Sequence, residues 1–306
     1  MNPKLQRSAP YSDLLILDTI EILARVLLRI LDLRYTRMTN TASYLVGGKL
    51  GDVFHTLWVV KRVWEIDGIK GVIVFSDRFG GDVFSRGLSN TWQDCKQTIE
   101  SQEYVQECLI DDGRWTPDSL NTSKVIFLNA WRKNEYVSRI DWTSLLSMVY
   151  RIPREDPCKG WIKYTGESRD SINGIPLNDI VVVHQSLHRI NKEFPWKAIL
   201  SSNNCVFLTS ELKEYDSFEY KHLVNVHIAT NLSEMTEIIS ACKAFCGNQS
   251  SPLALAAALG KTCYCQLYIL DRFSYVGLGS HIYHENIKPP SEIICIPGIK
   301  IESKIL

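Results

Sequence analysis

From Thr41 onward, short apolar runs alternate with stretches whose apolar positions recur every three or four residues. The runs Ala42 to Val46, Gly71 to Phe75, Val105 to Ile110, Lys124 to Asn129, Ile180 to His184, Cys205 to Thr209, Val224 to Ile228, Ala244 to Gly247 and Thr262 to Leu267 predict strands. The periodic stretches Val53 to Glu65, Trp142 to Tyr150, Trp196 to Ser201, Leu232 to Cys242 and Pro252 to Leu259 predict helices. Strands that alternate with helices predict an α/β fold whose parallel sheets are covered on both faces. A stretch punctuated by Pro153, Pro157, Gly160, Gly166, Gly174 and Pro176 separates two such sets, so one domain is expected over 40–175 and a second over 176–306.

Ahead of these lies a different pattern, from Ser12 to Leu33 within an expected leading segment 1–39. Asp18, Glu21, Arg25, Arg29 and Asp32 fall on one narrow stripe of a helix and apolar residues cover almost all the rest. Those charges make it a poor membrane span. Glu21 with Arg25 and Arg29 with Asp32 can pair along the stripe, whereas a helix lying on anionic lipid would favour Lys and Arg there. The expectation is therefore burial against the second domain or in a homodimer, with peripheral membrane contact ranked below both.

Composition narrows the function. Hydrophobic residues make up 45% of the 306 and charged residues 22%, as in ordinary globular proteins. Lys plus Arg and Asp plus Glu both total 34, which gives no general attraction to nucleic acid. The Cys count is nine, an odd number in a long chain without a signal-peptide pattern, so reduced thiols and a cytoplasmic setting are expected.

Three segments carry candidate chemistry. Gly47-Gly48-Lys49-Leu50-Gly51-Asp52 follows the first strand and opens a helix, whose free amides would face the carboxyl ends of the strands. It lacks the Gly-x-Gly-x-x-Gly spacing of a dinucleotide site, and Asp52 can equally be a helix cap. Cys246-Gly247-Asn248-Gln249-Ser250-Ser251-Pro252 joins a strand to an Ala/Leu helix, with Ser251 expected as cap and Pro252 as first helical residue. Such a helix start suits phosphate, with the Ser250 and Ser251 hydroxyls as further donors. The end of that helix, Gly260-Lys261-Thr262, is not a phosphate-binding P-loop, because Leu255 stands where the first glycine is required. Third, His184 to Trp196 sets two imidazoles, Arg189 and Lys192 in a loop at a strand end, which suits a diphosphate. No serine-hydrolase elbow, zinc spacing or Asp-x-Asp clamp at a strand end occurs, so neither metal nor resident cofactor is expected.

The pair Gly51-Asp52-Val53-Phe54-His55-Thr56-Leu57 and Phe245-Cys246-Gly247-Asn248-Gln249-Ser250-Ser251-Pro252, in this order and at this separation, resembles glycosyltransferase family 9, the heptosyltransferase-like group. The resemblance covers roughly 41–65 and 179–267. It implies a GT-B fold, with two Rossmann-like domains facing a cleft, the first for a glycan or glycolipid acceptor and the second for a nucleotide-sugar donor. It implies Asp52 as general base of an inverting transfer, with Gly51, His55, Arg132 and Lys133 on the acceptor side. Ser186, Arg189, Lys192, Glu214 and Asn248 to Ser251 would hold the donor, with Lys192 or Arg189 at the leaving phosphate and Glu214 at the ribose. The chain departs from the family pattern at Gln249, Ser251 and Ala254, around the donor phosphates. That turns the reading away from heptose transfer in particular and opens an alternative, a catalytically inactive nucleotide- or glycan-binding protein on the same fold.

Overall fold

The structure is a computed structural model and describes residues 41–78, 83–113, 124–133, 142–153, 160–266 and 280–283. The expected leading helix lies outside the described residues.

Two parallel sheets organise the chain. The first contains β1 (Thr41–Val46), β2 (Lys70–Phe75), β3 (Val105–Ile110) and β4 (Val125–Phe127), in the order β3-β2-β1-β4. The second contains β7 (Ile180–His184), β8 (Asn204–Thr209), β9 (Asn225–Ile228), β10 (Ala244–Asn248), β11 (Cys263–Gln266) and β12 (Ser280–Tyr283), in the order β12-β11-β10-β7-β8-β9. All pairings within both are parallel. A short antiparallel hairpin, β5 (Ser171–Ile172) and β6 (Ile175–Pro176), lies between them. The central strands β1, β7 and β10 are buried almost end to end, which is why they read as continuous apolar runs without alternation.

The strand order creates two switch points. In the first sheet the chain leaves β1 toward β2 on one side and later returns to β4 on the other. In the second, β8 and β9 extend to one side of β7 and β10 to β12 to the other. Open α/β sheets hold ligands in the crevice beyond the strand ends at such points. All three segments singled out by sequence begin there.

Helix α1 (Leu50–Asp67) follows β1 and ends at Gly68, whose left-handed φ of 68° lets its amide reach the Trp64 carbonyl at 2.8 Å. Val53 to Val60 are all buried. An ordinary surface helix buries one stripe, whereas α1 packs on its own sheet and against α7 (Ser251–Ala258) of the second half. The small side chains of α7 allow that approach: a Cβ placed on Gly51 would sit 3.5 Å from Ala254 Cβ. One continuous apolar core runs through this contact, from Phe54 and Leu57 to Leu253 and Ala257.

The segment after residue 160 stitches the halves together. The Trp161 and Ile162 amides donate to the Ala258 carbonyl at 2.7 and 2.9 Å, while Trp161 Nε1 donates to the Phe54 carbonyl at 2.6 Å. Tyr104 donates its hydroxyl to the Trp161 carbonyl at 2.6 Å.

The remaining helices are α2 (Leu88–Glu100), α3 (Trp142–Tyr150), α4 (Trp196–Ser202), α5 (Leu212–Asp216) and α6 (Leu232–Ala241). Neither α2 nor α5 was expected, nor were the β5–β6 hairpin and β12. The expected strand 124–129 is cut to Val125–Phe127, because the chain turns at Leu128 and Asn129 into a short 3-10 helix, Ala130–Lys133. The seven described cysteines are free thiols, and burial pushes Cys265 and Cys205 up to about 12.

Candidate functional site

The two switch points open on a single cleft of about 1210 Å³, lined by the starts of α1 and α7 and the loops after β7 and β8. The N-termini of both helices line it; α1 carries a capping box between Lys49 and Asp52, whereas α7 starts without a side-chain cap. The orphan amides and positive dipole end of α7 favour an anion beside it.

Asp52 is the third residue of α1, not its cap: the helix starts at Leu50, with Lys49 as N-cap, and the Lys49 amide donates to Asp52 Oδ2 at 3.3 Å. The same oxygen forms an ion pair with Arg132 Nη2. Arg132 comes from the 3-10 turn after β4, so the pair joins the two sides of the first switch point. Its guanidinium also lies over the Trp131 ring, 4.8 Å from the centroid. Gly48 makes room for it, at a φ of 94° and at a place where a Cβ would stand 2.6 Å from Nη2. Lys133 closes the same turn, and its side chain lies outside the described residues.

Across the cleft, Arg189 occupies the left-handed region with φ 59°, a conformation that a side-chain-bearing residue rarely adopts, and its Nη1 donates to the Gln249 carbonyl at 2.8 Å. Ser186, Arg189, Gln249, Ser250 and Ser251 all line the cleft. Asn248 does not. It is fully buried, accepts from the Ser186 amide at 3.0 Å and donates to the Ser186 hydroxyl and the His188 carbonyl, so it clamps the loop. Lys192 is exposed and stands away from the cleft, because the chain turns at Asn191, whose carbonyl accepts from Gln266 Nε2 at 2.7 Å. Of the two cations expected at a leaving phosphate, the structure brings only Arg189 to the cleft. The cap of α7 is Ser250 and not Ser251; its hydroxyl donates to the Asn248 carbonyl at 3.0 Å and leaves the helix amides open.

Glu214 lines the cleft at α5, with its Oε2 receiving the Thr209 hydroxyl at 2.5 Å. His184, buried at the end of β7, joins it there; its Nδ1 lies 2.9 Å from the Leu208 carbonyl, and burial lowers its pKa.

The first wall also holds rings. His55 stacks on Trp142 with centroids 4.6 Å apart and planes 12° from parallel, and Trp131 meets Trp142 edge to face at 4.4 Å. Burial pushes the His55 imidazole down to about 3, so it is neutral. His55 Nδ1, Trp131 Nε1 and Trp142 Nε1 are buried without hydrogen-bond partners among the described residues. Leaving such a group unpaired costs roughly 1–3 kcal/mol. The tryptophans were not singled out by sequence, although Trp131 adjoins Arg132, which was. Among the described residues no group of three or more His, Cys, Asp or Glu stands together to hold a metal ion.

No family profile and no curated protein matches the chain. Solved structures do. The dodecameric iron-containing heptosyltransferase TibC in complex with ADP-D-beta-D-heptose aligns with a TM-score of 0.54 at 8% identity, over 80% of this chain and 62% of that one. TibC from enterotoxigenic E. coli H10407 aligns at 0.50, with 10% identity, over 74% and 57%. A family 9 glycosyltransferase from Veillonella parvula aligns at 0.49, with 10% identity, over 79% and 86%. The chain thus shares the α/β architecture of the two TibC structures, the GT-B fold.

Proposed function

We propose that this chain is an inverting glycosyltransferase, moving a sugar from a nucleotide-diphosphate sugar to a hydroxyl of a glycan or glycolipid. The observation that carries the reading is the facing arrangement of Asp52 on one wall and, on the other, Arg189 with the uncapped start of α7. A base and an anion site across one cleft are what a displacement at an anomeric carbon needs. The transferase fold, and the ADP-heptose held by TibC, support a nucleotide-sugar donor.

In the proposed step the acceptor oxygen attacks the anomeric carbon and its proton passes to the Asp52 carboxylate. The bond from anomeric carbon to phosphate oxygen breaks, and the electron pair leaves with the nucleoside diphosphate. Arg189 and the amides at Ser250 and Ser251 meet the charge that grows on that leaving group. Glu214, fixed by Thr209, stands ready for ribose hydroxyls. Arg132 holds the Asp52 carboxylate in place, and no step is routed through a metal. The reading places the chain in the cytoplasm or at a membrane face; no described helix is long and apolar enough to cross a membrane.

A second reading, a binding protein without turnover, is favoured by the ion pair that already occupies Asp52. Incubation with a panel of nucleotide sugars separates the two. Slow release of nucleoside diphosphate to water, together with a thermal shift from that same diphosphate, supports the transferase. Thermal shift without any release supports the binding protein.

A further inference from the structure

Parallel sheets are stable when both faces are covered, and the described helices cover only one face of the first sheet. On that face Tyr44, Val46, Ile73 and Phe75 join the core that holds Phe54 of α1, Ile99 of α2 and Leu146 of α3. The opposite face is different. The strand register lines up Phe127, Leu45, Val74 and Leu109 in one row across all four strands, and Val125, Ser43, Val72 and Glu107 in the next. Leu45, Val72 and Val74 are only 2%, 5% and 0% exposed, yet the apolar side chains packed with them among the described residues are Leu109 and Val125, which also come from strands. No described helix belongs to that cluster. A right-handed link from β3 back past β1 to β4 passes over this face, but between Asp111 and Lys124 its large apolar side chains are Trp115 and Leu120 alone. The second sheet has no such vacancy: one face joins the core of α6 and α7, and the other packs on Trp196, Ile199 and Leu200 of α4.

We propose that the leading segment, residues 12–33, docks on this face as its helical layer, with Ile16, Ile20, Leu23, Leu27 and Ile30 against the row of Phe127, Leu45, Val74 and Leu109. Those five apolar residues recur at steps of four, three, four and three, which makes one stripe on the side of a helix opposite Asp18, Glu21, Arg25, Arg29 and Asp32. Docked this way, the charges meet water and pair among themselves. The dimensions match. The outer strands of a four-stranded sheet lie about 14 Å apart and a helix is about 10 Å across, so one helix laid over β1 and β2 covers the row. A helix over 12–33 is about 33 Å long, enough to run the full length of a six-residue strand of about 20 Å. The described chain begins at Thr41, the first residue of β1 and so one end of this same face. Residues 34–40 reach at most about 25 Å, which holds the segment at high effective concentration beside its own sheet rather than beside the second domain or a second copy.

The test places p-benzoylphenylalanine in the full chain at Phe127 or at Leu109, the two ends of the row, and maps the products of irradiation by peptide mass spectrometry. Neither position belongs to the proposed site, and no substrate is needed, so the result stands apart from the transferase reading. The expected result is a cross-link to residues 12–33, at the mass of one chain, from at least one of the two positions. The double substitution Leu23→Asp with Leu27→Asp sets charge on the apolar stripe; it should cut that cross-link about tenfold or more and lower the melting temperature. Cross-links to 114–123 or to 267–306 in its place overturn the proposal, as do cross-links to a second copy at twice the mass or the absence of any to residues 12–33. A cross-link that survives the double substitution undiminished overturns it too. If the substituted chain does not fold, the map from the chain carrying the photoreactive residue alone still decides.

Discussion

Arg189 combines two roles that substitution can separate. Its backbone sits at φ 59° and its guanidinium reaches the Gln249 carbonyl at 2.8 Å beside the start of α7. The left-handed conformation costs a residue with a Cβ roughly 1–2 kcal/mol, while glycine loses about 0.5–1 kcal/mol more chain entropy on folding. Arg189→Gly should therefore be more stable than Arg189→Ala by about 0.5–1 kcal/mol, or about 1–4 °C in melting temperature for a chain of this size. Both lose the guanidinium, and a charge-assisted bond to phosphate is worth about 1.5–3 kcal/mol. Titration calorimetry should show both variants binding a nucleoside diphosphate about 10- to 150-fold more weakly and the nucleoside about as well as before. Lys192→Ala, away from the cleft, should change neither. Equal losses for nucleoside and diphosphate would refute the assignment of Arg189 to the phosphates. A glycine variant no more stable than the alanine one would refute the strain argument.

Stability should depend on pH through the buried imidazoles. His55 is held near 3 in the folded chain against an ordinary value of 6.5, so its contribution is complete above 6.5. Below 6.5 the unfolded state takes up a proton that the folded state refuses, and stability falls by about 1.4 kcal/mol per pH unit until the folded value is reached. His184, lowered by burial too, adds to the slope. The urea midpoint should drop from pH 7 to pH 5, and less steeply in His55→Gln. Trp161→Phe removes the 2.6 Å bond to the Phe54 carbonyl and should cost about 1–3 kcal/mol in urea unfolding. Gly160→Ala would bring a Cβ to 2.6 Å from the Gly260 nitrogen, a backbone atom, and should lower stability by about 1–3 kcal/mol in the same assay.

Much of the architecture was legible because buried parallel strands carry long apolar runs: Ile180 to His184 is found as β7 without change. Helix α2 was missed because its buried face is made of Thr91, Cys95, Thr98 and Ile99 in an otherwise polar segment without a side-chain cap. Its signal was the spacing of Leu88, Trp92, Cys95 and Ile99, which match a helix stripe. The β5–β6 hairpin is held by two residue pairs, too few for any periodicity. At the site, glycine and serine clusters after strands marked both switch points. What they could not mark was direction: whether Lys192 or Arg189 faces the cleft depends on the left-handed turn at Arg189 and on the Asn248 clamp, which comes from a distant strand. The ion pair of Asp52 with Arg132 joins positions 80 residues apart and leaves no local pattern.

In the proposed step Asp52 takes the proton of the attacking hydroxyl. The most direct test is the rate of sugar transfer by Asp52→Asn at saturating donor, with diphosphate affinity measured on the same preparation. Asparagine can still accept from the Lys49 amide, so the start of α1 is kept while basicity is removed. In this variant kcat should fall by about 10²- to 10⁴-fold, with diphosphate affinity within about twofold of the unaltered chain. Transfer at an undiminished rate in that variant would contradict it.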